Sequence, residues 1–323
     1  MATHKATPLL TVTVTSYNYG RYLERNIESI LNQSFTDFEL LIIDNASTDA
    51  SLAIIQRFAD IDPRIRIIAH KVNQGGPASF RESCDLAKGR YRVQVDADDW
   101  VSSTDAFDRQ INMLENNPNM TFVYSNLVMQ TDASKRYVFG QYTGDRILRG
   151  EDAVEGILGL SFGHSGMMLR LDAYREAGGY PRGFKYYDDL LLAVRLAELG
   201  DVGYIDAPLY TSRQHVANEH LVPDPRVVHH ELIPIIDRAF KGPLGGRMAD
   251  RDRLRSRVLR RVLVHHPTFH IFNGRPRQGW RMYWESARAR PYDTVLQRRT
   301  LNLMVRTILG ARGYAWIKGQ HSA

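Results

Sequence analysis

Apolar positions recur through the first hundred residues in two alternating rhythms. Short, β-branched runs predict buried strands at residues 9–15 (LLTVTVT), 38–43 (FELLII), 65–69 and 91–95. Between them the spacing turns helical: Leu23, Ile27, Ile30 and Leu31 share one face, then Leu52, Ile54, Ile55 and Phe58. Thr48 is placed to cap the second of these helices, and Gly89 to end a third over 77–87. Strand–helix alternation of this length predicts a parallel sheet with helices on both faces. Ligands in such sheets bind beyond the carboxyl ends of the strands. Polar clusters stand at three of those ends: Thr15-Ser16-Tyr17-Asn18, Asp44-Asn45-Ala46-Ser47 and Asp96-Ala97-Asp98-Asp99. They are expected to converge.

Past residue 120 the pattern is mixed. It predicts a hairpin over 121–140, helices at 150–159, 171–177 and 188–199, and two strands at 202–205 and 209–213. Beyond Pro223 the chain turns helical and Arg-rich, interrupted at 242–246, Pro267 and Asn273-Gly274. A length of 323 residues with 43% apolar content supports one large domain and an appendage. The boundaries expected are 1–222, with a donor half to about 100 and an acceptor half after it, and 223–323. No run reaches the roughly 18–20 apolar residues of a membrane span. Residues 1–8 show no secretion signal, and the lone Cys84 excludes a disulfide framework, so a cytoplasmic protein is expected. Cys84, beside Leu86 and Ala87, reads as packing.

Charge divides the chain. From Lys241 onward there are 18 Lys and Arg against four acids, a balance of +14; the whole chain is +6, so residues 1–240 carry −8. An acidic body suits a divalent cation, and a basic region suits an anionic partner. RDRLRSRVLRRVLVHH, with Trp280, Tyr283, Trp284 and Trp316, reads either as a peripheral membrane-docking surface or as a helical cap with a solvated basic face. No nucleic-acid recognition motif accompanies the charge.

Two carboxylates two residues apart at a strand end, Asp96 and Asp98, can share one hard cation through oxygen ligands. The competing reading is a solvated turn, with Asp99 capping a helix from about Ser102. Asp44 offers either an acceptor for the imide N–H of uracil or thymine, or the start of an Asx turn.

Taken together, these residues resemble family 2 glycosyltransferases, which have the GT-A fold. The resemblance runs through VTVTSYNYGRYLERNIESILNQSFTDFELLIIDNASTD, Asn73-Gln74-Gly75-Gly76, AKGRYRVQVDADD, GHSGMMLRLDAYREAGGY, YYDDLLLAVRLAELG and LYTSRQH. It covers roughly residues 9–220 and implies an α/β GT-A domain followed by a helical basic region. It implies an inverting enzyme that moves a sugar from a UDP-sugar, or a dTDP-sugar, to a hydroxyl of a saccharide or lipid-linked glycan, with Mn2+ or Mg2+ as cofactor.

By the same resemblance Thr15, Tyr17, Asn18, Asp44 and Asn45 meet the nucleoside, and Asp96, Ala97 and Asp98 the ribose, diphosphate and metal. Asp189 is the catalytic base, with Asp188 in place of the family's Glu on the acceptor side. His164 is expected near the acceptor, Arg213 at the diphosphate, and His215 there or on the metal. Arg81 falls where Phe80-Arg81 departs from the family's usual Arg-Asn pair. Two other readings stay open: a nucleotidyltransferase, and a non-catalytic nucleotide-sugar or membrane-surface binding protein. The first lacks a Gly-rich phosphate loop after its first strand; the second has no use for a base.

Overall fold

The computed structural model describes residues 7–131, 136–158, 165–184, 186–214, 228–259 and 276–289. His164, His215 and Trp316 lie outside them. The chain divides into two compact units, Met1–Asn218 and Glu219–Ala323.

The first unit begins with β1 (Leu10–Ser16), α1 (Gly20–Leu31), β2 (Phe38–Asp44), α2 (Ser51–Ala59), β3 (Ile65–Ala69), α3 (Gly76–Leu86) and β4 (Tyr91–Gln94). Its continuation is β5 (Trp100–Val101), α4 (Ala106–Glu115), β6 (Met120–Thr131), β7 (Arg136–Phe139), β8 (Arg146–Leu148), α5 (Gly150–Ile157), β9 (Met168–Arg170), α6 (Leu171–Glu176), α7 (Asp188–Leu199) and β10 (Asp201–Gln214). One sheet runs in the order β3-β2-β1-β4-β9-β6-β10-β5, with β7 on β6 and β8 on β10. Pairing is parallel from β3 to β4, antiparallel on both sides of β9, and parallel again between β6 and β10.

The chain winds outward from β1 through β2 to β3, then returns to place β4 on β1's other side. That reversal makes the β1–β4 boundary a topological switch point, where a crevice opens at the strands' carboxyl ends. Core packing fixes the register. Val12 and Val14 of β1, Leu40 and Ile42 of β2, and Val93 of β4 join Leu23, Ile27 and Ile30 of α1 in one buried cluster.

Several local expectations give way to tertiary geometry. Gly89 has no left-handed backbone and caps nothing. A Cβ there would stand 2.6 Å from the Thr11 nitrogen and 2.7 Å from the Tyr91 oxygen, so close approach to β1 is what requires glycine. Thr48 does not cap α2, because its amide and hydroxyl both turn to the Asn18 side chain; Asp49 instead receives the Ser51 amide at 2.9 Å. The two strands expected at 202–205 and 209–213 are one strand, β10, with register shifts between Ile205 and Pro208 and between Pro208 and Tyr210. Asp206, Ala207 and Pro208 interrupt the hydrophobic text without breaking the pairing.

In the second unit, α8 (Ile233–Lys241) buries Ile233, Ile235, Ile236, Ala239 and Phe240. Asp237 on its other side receives Arg255 at 2.5 Å. Residues 251–259 are helical, with Leu254, Val258 and Leu259 buried and Arg251, Arg253 and Arg257 exposed. Within 251–259 the apolar residues of that basic segment are therefore packed inside the protein. α9 (Pro276–Ala289) buries Met282 and Tyr283 and exposes Trp284. Among the described residues no helix is long and apolar enough to cross a membrane.

Candidate functional site

The three polar clusters meet at the switch point. In register, Ser16 pairs with Asp44 across β1 and β2, and the Val95 amide donates to Thr13 on the β4 side. Asp44 is buried, and its two oxygens divide the alternatives between them. Oδ2 accepts the Ser47 amide at 3.0 Å, closing the turn, whereas Oδ1 is buried without a hydrogen-bond partner. A buried orphan acceptor is costly unless something outside the chain donates to it. Tyr17 beside it is 43% exposed, leaving a ring face open for stacking.

Asn18 and Asn45 brace the crevice. Asn18, in a left-handed conformation at φ 59°, accepts the Thr48 amide at 2.7 Å and ties the β1 loop to the β2 loop. Asn45 Oδ1 receives the Gln74 amide at 2.8 Å and lies 3.1 Å from His70 Nδ1, while its Nδ2 donates to Asn73 at 2.8 Å. These contacts hold the Asn73–Gly76 segment against the end of β2. Arg81, on α3, has no hydrogen bond or ion pair among the described residues. Thr15 Oγ1 and Asp96 Oδ1 both accept from Gln94 Nε2, each at 3.4 Å.

The Asp96–Asp99 turn is pinned from below. Asn26 of α1 is fully buried and donates from Nδ2 to the Asp96 carbonyl at 2.8 Å and the Asp99 carbonyl at 2.9 Å. Nothing in the sequence pattern singled out Asn26; the only signal was a polar residue on the apolar face of α1. Asp99 does not cap a helix from Ser102, since α4 starts at Ala106. It is buried and accepts the Arg213 amide at 2.9 Å, linking the turn to the end of β10. Arg213 Nε reaches the Asp98 carbonyl at 3.4 Å. Ala97 is buried between the carboxylates.

Burial, then the charges of Asp96 and Asp98, push the Asp99 carboxyl well above the ordinary carboxylate range. Three acids crowded into four residues suit a cation. Among the described residues no three potential ligands converge as a ready-made metal cage. A magnesium- or manganese-type site needs only one or two carboxylates, the rest of its shell coming from phosphates and water. Asp96 and Asp98 fit that donor set.

The raised Asp99 value sets a pH dependence. The folded state holds a proton that the unfolded chain releases above about pH 4, so stability falls as pH climbs from there towards the folded value. Asp99→Asn keeps the acceptor for the Arg213 amide and removes the titration. In chelator at pH 8 the variant is expected to melt above wild type. The two should converge near pH 4. Parallel melting curves across that range would refute the assignment.

Asp188 and Asp189 open α7 behind Tyr187, which supplies no side-chain cap. Asp188 is buried and receives the Asp189 amide at 3.0 Å; Asp189 Oδ1 receives the Leu190 amide at 2.6 Å. Asp189 is half-buried, and its Oδ2 has no hydrogen bond among the described residues. Tyr180 donates to Asp188 and is buried beside both acids; burial first, then their charges, hold its hydroxyl far above the usual tyrosine range. Its ring stacks on Phe80 of α3 at 4.2 Å, and Phe80 in turn carries the buried Arg92 guanidinium of β4 at 4.0 Å. This column ties the acid pair to the central sheet. Tyr180 escaped the sequence reading because it looks like one more apolar position after Gly178-Gly179. Cys84 is buried, and burial raises its thiol, as expected of packing rather than chemistry.

An α/β sheet with carboxylates at its switch point is the GT-A architecture, and solved structures of that type share it. The Staphylococcus aureus protein TarS, residues 1–349 in complex with UDP-GlcNAc, aligns with a TM-score of 0.58 at 15% identity, over 87% of this chain and 92% of that one. The mannosyltransferase PcManGT from Pyrobaculum calidifontis, in complex with GDP-Man and Mn2+, aligns with a TM-score of 0.59 at 16% identity, over 98% and 84%. At these identities the likeness is one of fold. The family model of glycosyl transferase family 2 matches residues 11–177, just over half of the sequence, and the chain belongs to that family.

Relatives include an uncharacterized glycosyltransferase of Haemophilus influenzae, 28% identical over 214 residues, covering 64% of this chain and 66% of that one. EpsE of Bacillus subtilis, named as a glycosyltransferase, is 32% identical over 213 residues, covering 64% and 73%. Chondroitin synthase of Escherichia coli is 27% identical over 217 residues, covering 67% of this chain but only 30% of its own length. The chain thus spans under two thirds of the first of these relatives and under a third of the last.

Proposed function

We propose that this chain transfers a hexosyl unit from a UDP-sugar, or a dTDP-sugar, to a hydroxyl of a saccharide or lipid-linked glycan, with inversion, in bacterial surface polysaccharide synthesis. The observation that carries the reading is the unpartnered Asp44 Oδ1, buried where three strand ends meet. The imide N–H of uracil or thymine supplies the donor it lacks, and the exposed Tyr17 ring supplies a face for the base. TarS with UDP-GlcNAc and PcManGT with GDP-Man show that this fold carries nucleotide-sugar sites elsewhere.

In this reading Asp96 and Asp98 hold Mn2+ or Mg2+, and His215 stands as a further ligand. The bound ion supplies positive charge against the diphosphate as it departs. Thr15 and Ala97 line the nucleotide, Asn18 and Asn45 hold its loops in place, and Arg81 and Arg213 face the diphosphate. His164 and Asp188 orient the acceptor. Asp189 Oδ2 takes the acceptor hydroxyl's proton while that oxygen bonds to the anomeric carbon and the bond to the diphosphate oxygen breaks. Tyr180 acts on Asp188 only, holding that carboxylate in place by hydrogen bonding.

One base and one metal site support a single displacement. Proton NMR of the freshly formed glycoside tests this: an anomeric configuration opposite to the donor's is expected, and a retained one would overturn direct displacement. In the cell, the excess of Arg after residue 241 and the exposed Trp284 support peripheral contact with an anionic membrane surface, from a cytoplasmic side.

A further inference from the structure

On β4 the side chains alternate between the two faces of the sheet. Tyr91 and Val93 join the buried cluster against α1, so Arg92 and Gln94 point the other way, towards α3. Both are buried. The Arg92 guanidinium lies on the Phe80 ring and donates from Nη2 to Ser83 Oγ at 2.8 Å and to Gln94 Oε1 at 2.6 Å. Among the described residues no carboxylate pairs with it, and its Nε–H is buried without an acceptor. A buried cation in that state is a poor device for stability, since apolar residues of similar volume often do as well or better.

What the guanidinium does decide is the direction of the Gln94 amide. Arginine donates and never accepts, so the amide atom that faces it must be Oε1. Thr13, the register partner of Gln94 on β1, also meets Oε1, at 2.7 Å, but a hydroxyl can give or take and imposes no choice. With Oε1 turned to Arg92, Nε2 faces the strand ends, where it donates to Thr15 Oγ1 and Asp96 Oδ1 at 3.4 Å each. Among the described residues that is the only hydrogen bond made by the Asp96 carboxylate. The opposite amide orientation would set Oε1 against that carboxylate, oxygen facing oxygen.

We propose that Gln94 is a positioning residue for Asp96, and that Arg92 acts through it by fixing which way the amide points. One oxygen of Asp96 is held by the amide, and the other stays available to a divalent cation. Neither Arg92 nor Gln94 touches the cation. The inference rests on the reading that Asp96 and Asp98 hold a metal ion.

The test is Mn2+ binding to the full chain at saturating UDP, read from the electron paramagnetic resonance of the free ion, with melting in chelator measured alongside. It compares wild type, Gln94→Met, Arg92→Met and the double variant. Gln94→Met is expected to bind Mn2+ about fivefold more weakly and to melt lower, because Arg92 loses an acceptor. Arg92→Met is expected to weaken Mn2+ binding as well, through the freed amide. Adding Arg92→Met to Gln94→Met is expected to leave Mn2+ affinity unchanged while raising the melting temperature, since the buried cation is gone. Wild-type Mn2+ affinity in Gln94→Met, a further loss in the double variant, or recovery of Mn2+ affinity together with melting temperature would overturn the proposal. Absence of Mn2+ binding to wild type would instead overturn the metal reading, and this inference with it.

Discussion

Asp189→Asn is expected to lower the transfer rate at least about a thousandfold while leaving donor affinity within about threefold of wild type. Asparagine preserves the acceptor for the Leu190 amide, so the opening of α7 keeps its geometry. What it loses is the second carboxylate oxygen, the only proton acceptor this reading places at the attacking hydroxyl. A neutral amide cannot accept that proton, so the acceptor must attack as an alcohol. Single-turnover transfer measures the rate and calorimetry the donor affinity. Near wild-type transfer by Asp189→Asn would show that the acids at the start of α7 serve only the helix, to which first-turn carboxylates are favourable in any case.

Asp98→Asn is expected to weaken metal-dependent donor binding about a hundredfold and to remove most of the difference between Mn2+ and chelator. Asp98 is buried in a turn whose backbone is fixed by Asn26 and Arg213, so its carboxylate cannot be replaced by a neighbour swinging in. Removing one of two anionic ligands costs a hard cation both charge and a position in its shell. Calorimetric titration of the donor with and without Mn2+ reads the effect. If Asp98→Asn binds donor with unchanged metal dependence, the ion is held elsewhere.

Much of the first hundred residues was legible because each strand there is a short buried run with polar residues at its end. The strand–helix alternation implied a parallel sheet with polar clusters at its strand ends, and β3-β2-β1-β4 is such a sheet, although its strand order was not legible. Harder to read were residues whose role depends on a partner distant in sequence. Asn26 sits among Leu23, Ile27 and Ile30 and becomes intelligible only when the Asp96 and Asp99 carbonyls lie above it. Gly89 reads as a cap until the approach of β1 is seen. Tyr180 and Arg92 belong to one column through Phe80, although 88 positions separate them in the sequence. The three-residue β9, which turns the sheet antiparallel, is too short to leave a period, and β10 hides its continuity behind Pro208. The Asp44 turn shows a different limit: one oxygen closes the turn, and the other is left buried without a partner, which no sequence pattern could apportion.

The most direct measurement is calorimetry on the full chain with a panel of nucleotide-sugars, including UDP-, dTDP- and GDP-linked hexoses, each in Mn2+ and in chelator. The expected result is preferential binding of one uridine- or thymidine-linked donor that depends on the metal and is lost in Asp98→Asn. Failure of every nucleotide-sugar to bind, with or without metal, would contradict the proposed donor site at the meeting of β1, β2 and β4.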